Sequence, residues 1–168
     1  MKVIWLSSRF LGGDLSSTTQ IQLANGLVEK GHRVDFFSPG KAVGNSFNHH
    51  IVKRSNIRGF QASSVVNQLR TRLDEFKDAD VVLIDWPIFK LAKLIDSPVV
   101  LIDRSPPADR GFLAKLQWPK WNKAWKTAIR GTVVSEAHRQ FVVDYTQTPN
   151  ASIGVIPAGV DLKLFKLG

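Results

Sequence analysis

The chain contains no cysteine at all. That removes a disulfide framework and any thiolate metal site, so the fold must be held by its packed core. No apolar run approaches the roughly 20 residues that span a bilayer. The opening Met-Lys followed by Val-Ile-Trp-Leu is too short for the apolar region of a signal peptide and lacks a cleavage signal. A cytoplasmic location is the expectation, with peripheral contact on the inner face of a membrane as a further one. Acids are scarce: 14 Asp+Glu face 23 Lys+Arg, a net charge of +9. Such a surface suits anionic partners, whether nucleotide phosphates, nucleic acid or lipid headgroups, and its sign alone does not choose among them. Internal repeats, low-complexity segments and linkers are also missing, which leaves a single domain over residues 1–168.

What is present is a globular composition, 43% hydrophobic and 22% charged over 168 residues, enough to bury about 68–70% of the unfolded surface. Short β-branched runs alternate with helical patterns, the signature of βαβ units around a parallel sheet. Strands are expected at Lys2 to Leu6, Arg33 to Ser38, Asp80 to Asp85, Pro98 to Asp103, Thr132 to Ser135 and Ser152 to Pro157, with a shorter one between Phe47 and Lys53. Helices are expected at Ser17 to Lys30, Gln61 to Lys77, Ile88 to Ile95, Ala108 to Leu116, Pro119 to Arg130 and from Ser135 to about Tyr145. Ser17 with Gln20 reads as a capping box, and Gly31 stands where the first helix should stop. The fold class is α/β: a Rossmann-like, doubly wound, mostly parallel sheet of six or seven strands with helices on both faces.

In such sheets ligands bind beyond the carboxyl ends of the strands. Polar groups fall there at the Ser7 to Asp14 loop, at Asp85-Trp86-Pro87, at Asp103-Arg104-Ser105 and at Ser135-Glu136. Gly12 and Gly13 would let backbone amides approach an anion, with Arg9 and Asp14 beside them. The loop is not the dinucleotide fingerprint, which needs G-x-G-x-x-G and an acid closing the second strand. Gly40-Lys41 fails as a phosphate loop, because Ala42 follows the lysine and no glycine sits at the upstream spacing. Asp103 and Arg104 are the catalytic candidates: a carboxylate to orient or deprotonate a hydroxyl, or a guanidinium to bind phosphate; a salt bridge or helix cap is the plainer alternative. Asp85 is a further binding candidate, and Trp86 serves either as packing or as a platform for a sugar ring. His32, His49, His50 and His138 show no metal-ligand spacing, and neighbours such as His49 and His50 point to opposite faces of a strand.

From Trp118 to Arg130, Trp118, Trp121 and Trp125 fall on one helical stripe beside Lys120, Lys123 and Lys126. A tryptophan face bordered by lysines suits an interfacial helix, with Trp118, Trp121, Lys123 and Trp125 meeting lipid. The plainer reading is a core helix with solvated lysines. The mix permits nucleic-acid binding but carries no recognised reading motif.

Three stretches together resemble a known family. They are Leu23 to Ser38 (LANGLVEKGHRVDFFS) behind the two-glycine loop, Ile129 to Val142 (IRGTVVSEAHRQFV), and Val155 to Phe165 (VIPAGVDLKLF). In order and spacing they are similar to the N-terminal domain of a GT-B fold, family-4-like retaining glycosyltransferase, with Ala158 where asparagine is usual. The resemblance implies two Rossmann-like domains facing across a cleft, the first mainly for the acceptor and the second for a UDP- or GDP-linked sugar donor. It implies no metal and no cofactor beyond the donor, and it places the passage into the second, absent domain at the end of this chain. It places Gly12 and Gly13 near the donor diphosphate, and Asp103 or Arg104 where many members carry a histidine. A domain without its partner half is expected to be inactive alone. The alternatives are a non-enzymatic single-domain module pairing with a separate partner, or a basic nucleic-acid-binding α/β domain.

Overall fold

The computed structural model describes residues 1–12, 15–42, 44–108 and 110–157. The expectations placed on Gly13, on Asp14 and on the chain beyond Pro157 lie outside these residues. Seven strands form one sheet: β1 (Lys2–Leu6), β2 (Arg33–Ser38), β3 (Asn48–Ile51), β4 (Val81–Asp85), β5 (Val99–Ile102), β6 (Arg130–Val133) and β7 (Ile153–Val155). All neighbours are parallel, in the order β3-β2-β1-β4-β5-β6-β7. The chain first builds leftward from β1 and then rightward from β4, so the two directions part between β1 and β4. That gap is the topological switch point, where a doubly wound sheet opens a crevice.

Among the described residues, five α-helices accompany the strands: α1 (Leu15–Glu29), α2 (Gln61–Arg70), α3 (Phe112–Lys115), α4 (Trp118–Thr127) and α5 (Glu136–Thr146). Alternation along the strands sorts the core into two clusters. Ile4, Leu6, Val82, Ile84, Leu101 and Val133 pack under α2, α4 and α5 and the 3-10 turns of Trp86–Leu94. Val3, Trp5, Val34 and Phe36 meet Ile21 and Ala24 of α1 on the other face. Among the described residues α1 is the one helix on that second face. Beyond it, Leu23, Leu27, Leu83, Val100, Ile102 and Ile156 line an apolar groove of about 410 Å³. No described helix is long and apolar enough to cross a membrane.

The expected elements shift where local chemistry competes with periodicity. The helix begun at Gln61 stops at Arg70, because Thr71 turns both its N–H (3.1 Å) and its Oγ1 (2.8 Å) onto the Gln68 carbonyl. Leu73–Phe76 then continues as a separate 3-10 turn. Of the helix expected from Ala108, only Phe112–Lys115 forms, since Gly111 at φ 97° holds the backbone outside the helical region. Helix α4 ends at Thr127 and releases Arg130 to start β6 two residues earlier than expected. The capping box is corrected as well. Helix α1 begins at Leu15, so Ser17 lies within its first turn, its Oγ donating to the Gly12 carbonyl at 2.9 Å, and Gln20 points into the core.

The histidine pair on β3 divides as a strand requires. His50 stacks on Phe37 at 4.3 Å and bonds Asp35 at 3.0 Å, while His49 bonds Ser38 Oγ at 2.9 Å on the opposite face. Burial pushes the Asp35 carboxyl up, but hydrogen bonds from His50 and Asn48 and the Arg33 charge outweigh it and hold the group below its ordinary value.

Two glycines are set by close approach. A Cβ on Gly131 of β6 would stand 2.5 Å from the Trp125 ring, so the indole occupies the space a side chain would need. Gly40, at φ 86°, pairs with Leu11, and a Cβ there would meet the Leu11 carbonyl at 2.1 Å. The glycine of the failed phosphate-loop match thus seats the β1 loop on the β2 loop.

Candidate functional site

The strand ends at the switch point carry three of the four polar groups expected from the sequence. After β1 the chain turns through Ser7, Ser8 and Arg9. It is fixed by Ser7 N–H donating to the Phe37 carbonyl (2.9 Å) and Leu11 N–H donating to the Pro39 carbonyl (2.8 Å). Leu11 is fully buried, whereas Phe10 stands in solvent. The loop is therefore a fitted lip rather than a loose connection. Gly12 N–H donates to Ser17 Oγ at 3.3 Å, which ties the end of the lip to α1.

Asp85, closing β4, lies beneath this lip and is buried. Ser7 Oγ donates to its Oδ2 at 2.5 Å, Gln20 Nε2 to Oδ2 at 3.2 Å, and Trp5 Nε1 to Oδ1 at 3.3 Å. Burial raises its pKa, opposed by Ser7, by the Arg9 charge, and by Trp5 and Gln20. A carboxylate sealed in this way does not reach a substrate, and the expectation of direct contact is corrected: Asp85 acts through Ser7. Because Ser7 Oγ also accepts the Arg9 N–H at 3.1 Å, the chain Asp85–Ser7–Arg9 sets the backbone of the lip.

Trp86, next in sequence, is also buried, and its Nε1 donates to the Ser105 carbonyl at 3.1 Å. It fastens the β5 exit to the β4 exit. With its ring packed against the core it offers no platform to a sugar, and the packing reading of Trp86 is the one the structure carries.

The Asp103-Arg104-Ser105 turn splits in two. Asp103 points to the α4 face and is 1% exposed. Its Oδ2 accepts the indole N–H of Trp121 at 2.6 Å and of Trp125 at 2.8 Å, and its Oδ1 accepts Ser105 N–H at 3.1 Å. His138 Nε2 stands 3.4 Å from Oδ2 without hydrogen-bond alignment, and makes no other bond. Both oxygens are committed to protein donors and the carboxylate is buried, so the candidacy of Asp103 is corrected to an anchor for α4. Arg104 is half-buried and lines the apolar groove beside α1 instead. Burial and the neighbouring Arg9 charge lower its pKa, and Asp85 opposes them. Arg9 spans from the β1 lip to the β5 exit, Nη2 donating to Ser105 Oγ at 3.3 Å. Arg54, before α2, donates to the Ser8 carbonyl at 3.3 Å.

The same geometry corrects the membrane face. Trp121 and Trp125, expected to meet lipid, are fully buried, because an indole N–H needs an acceptor and Asp103 supplies one inside. Trp118 is half-buried against Trp121, Phe141 and Tyr145, and Lys123 is solvated. The fourth polar group, Ser135, caps α5 by accepting His138 N–H at 3.1 Å. Among the described residues no three metal-ligating side chains converge.

Arg54 and the His138 contact are not singled out by the sequence, Ser7 enters only as the start of a loop, and Gln20 reads as a capping residue rather than a core donor. Their roles depend on chain segments far apart in sequence.

A seven-stranded parallel sheet whose strand order reverses between β1 and β4 defines a Rossmann-like domain. The family model of Glycosyltransferase Family 4 matches residues 16–164, and the chain belongs to that family. No curated protein matches it in sequence. Among solved structures, it is similar to WaaG, a glycosyltransferase involved in lipopolysaccharide biosynthesis (12% identity, TM-score 0.69, 95% of this chain and 45% of that one). It is also similar to Anabaena HepE in complex with UDP and glucose (13%, TM-score 0.72, 100% and 47%). A third likeness is to sucrose-phosphate synthase from Thermosynechococcus elongatus (13%, TM-score 0.72, 98% and 49%). At such identities the likeness is one of fold. The chain spans about half the length of these proteins, and the fold is that of a GT-B glycosyltransferase N-terminal domain.

Proposed function

We propose that the chain is the acceptor-binding half of a retaining glycosyltransferase that moves a hexosyl group from a UDP- or GDP-linked sugar to a hydroxyl acceptor. The observation that carries this reading is a chain of this family whose sheet order reverses between β1 and β4, with Arg9 of the loop after β1 reaching Ser105 after β5. The complex of HepE with UDP and glucose supports a nucleotide-sugar donor. In this chemistry the protein positions the reactants and stabilises charge on the departing diphosphate. The lip would approach the diphosphate through the backbone near Gly12, with Gly13 and Asp14 as further contacts. The donor is held mainly by a second domain across the cleft, and no metal takes part.

The test is a transfer assay on the full-length gene product and on the 168-residue chain, with UDP-glucose and GDP-mannose as donors. Transfer with retention at the anomeric carbon, and no turnover by the 168-residue chain alone, is the expected result. Inversion, or comparable turnover by the chain alone, overturns the reading.

Peripheral membrane contact is a second element of the proposal, now argued from α3 and α5. Phe112 (75% exposed) on α3, Leu116 (50%) just after it, and Phe141 (38%) and Tyr145 (47%) on α5 stand outward, and Lys115, Lys120 and Lys123 of the intervening chain are exposed as well. Exposed apolar side chains bordered by lysines suit an anionic bilayer surface. In flotation assays with phosphatidylglycerol vesicles, Phe112→Ser with Lys123→Glu should release most of the bound protein. Binding that ignores both the anionic lipid and the substitutions overturns it.

A further inference from the structure

The chain after β3 leaves the sheet at the same carboxyl edge as the lip, two strand spacings or about 10 Å from β1. Arg54 joins the two segments, its Nη1 donating to the Ser8 carbonyl at 3.3 Å. From Ser55 to Phe60 the loop is tied repeatedly to itself and to α2. Ser55 N–H donates to Ser64 Oγ (2.8 Å), Ile57 N–H to Ser55 Oγ (3.1 Å) and Gly59 N–H to Gln61 Oε1 (2.8 Å). Phe60 N–H donates to the Ile57 carbonyl at 3.1 Å, and Ser63 Oγ to the Phe60 carbonyl at 2.9 Å. Yet this fixed turn holds Ile57 66% and Phe60 63% exposed. A single apolar side chain on a surface is ordinary. These two instead line one pocket of about 240 Å³ together with Ser63, Ser64 and Asn67 of α2. An apolar wall and a polar rim thus meet on one ordered segment of the ligand edge.

We propose that Ile57, Phe60, Ser63 and Asn67 form a sugar subsite, so that the acceptor taken by this domain is a glycan of more than one unit. This rests on the acceptor-side reading above and names the acceptor's class. A pyranose ring has an apolar C–H face and a rim of hydroxyls. The negative face of the Phe60 ring suits the C–H groups. Ser63 Oγ spends its hydrogen on the Phe60 carbonyl and so meets a sugar hydroxyl as an acceptor, while the Asn67 amide both donates and accepts. A lipid tail covers the apolar pair but leaves those polar groups without partners. Because the turn is already ordered, little conformational entropy is lost when a ring docks on it. The shelf stands about 10 Å along the edge from β1, so the ring held here is not the one that reacts at the switch point. The reacting unit lies at the lip, and the glycan crosses Arg54 to reach it.

The probes are maltotriose, cellotriose and mannotriose, titrated into the isotopically labelled 168-residue chain and followed by amide NMR. Saturable shifts at Ile57, Phe60, Ser63 and Asn67 are expected with at least one of them, and weaker binding with glucose or mannose alone. Phe60→Ala should weaken binding about tenfold, the loss of one stacking contact, and Phe60→Trp should restore it. Asn67→Ala should weaken it about fivefold, the loss of one hydrogen bond. Phe60 and Asn67 are both exposed, so the variants should keep the wild-type Tm. No saturable shift with any of the three glycans, or binding unchanged in Phe60→Ala, overturns the proposal. So do the same shifts produced by UDP, which give the pocket to the donor. Phosphatidylglycerol vesicles that bind through Phe60 while the glycans do not give it to a bilayer and overturn the proposal as well. The titration involves no sugar transfer, so its failure is distinct from failure of the transferase reading, which the anomeric assay decides.

Discussion

Asp103→Ala should lower the stability of the chain by about 3–5 kcal/mol, seen as a large drop in the urea midpoint followed by tryptophan fluorescence. Two indole N–H groups, at 2.6 and 2.8 Å, end on one carboxylate oxygen in the core. Removing the carboxylate leaves both donors buried with nothing to accept them and opens a void between α4 and the sheet. Domains of this size have about 5–15 kcal/mol in total, so the change takes a large share of what exists. Asp103→Asn separates this account from a general intolerance of the site. Its amide oxygen still accepts the indoles without the charge, and should cost about 1–2 kcal/mol. A wild-type midpoint for Asp103→Ala would show that the indoles do not depend on this acid.

Asp85→Ala comes next, at about 2–4 kcal/mol, because Ser7 Oγ, Trp5 Nε1 and Gln20 Nε2 lose their common acceptor. Its pH dependence gives it a separate signature. Burial raises the folded-state pKa of Asp85 above its unfolded value near 3.8. A raised pKa means that the contribution of the group to stability is full below the unfolded value and is lost as pH rises through the folded value. The loss is about 1.4 kcal/mol for each unit of the shift. Asp85→Asn cannot ionise, and its amide can donate to Gln20 Oε1, which makes no hydrogen bond in the native core. Its stability relative to wild type should therefore increase as pH climbs from 3.8 into the neutral range. A difference that stays flat across that window, or runs the other way, contradicts the assignment. Asp35, held below its ordinary value, contributes the opposite slope at lower pH in both proteins, so it cancels in the comparison.

The two acids share a motif in sequence, LID at Leu83 to Asp85 and at Leu101 to Asp103, and nothing local distinguishes them. Strand parity does. Asp85 continues the face of Trp5 and Leu83 toward α1, whereas Asp103 falls one residue past Ile102 and turns toward α4. Each is then claimed by donors about 20 to 80 positions away, Trp121 and Trp125 for one and Ser7 and Trp5 for the other. The tryptophan stripe follows the same logic. The helical spacing of Trp118, Trp121 and Trp125 was visible in the sequence, but an amphipathic face reads alike whether it meets lipid or a sheet. The missing side chain at Gly131, which the Trp125 ring fills, is a tertiary fact that identifies the partner as the sheet.

Periodicity, strand composition and turn chemistry were sufficient for a parallel α/β sheet of six or seven strands and for placing Arg9, Asp85 and Arg104 at or just past strand ends. These properties are local: a side-chain period of two or of 3.6 residues is written into any short stretch, and in a parallel sheet the end of a strand is the ligand side by topology. The tertiary structure alone decided which of those residues face the crevice and which hold it up. It sent Asp103 and two tryptophans into the core, placed Asp85 under the lip, and joined Arg9 to Ser105 across 96 positions of sequence. Burial and donor geometry set the role of a polar side chain, and both are properties of the neighbours that folding supplies.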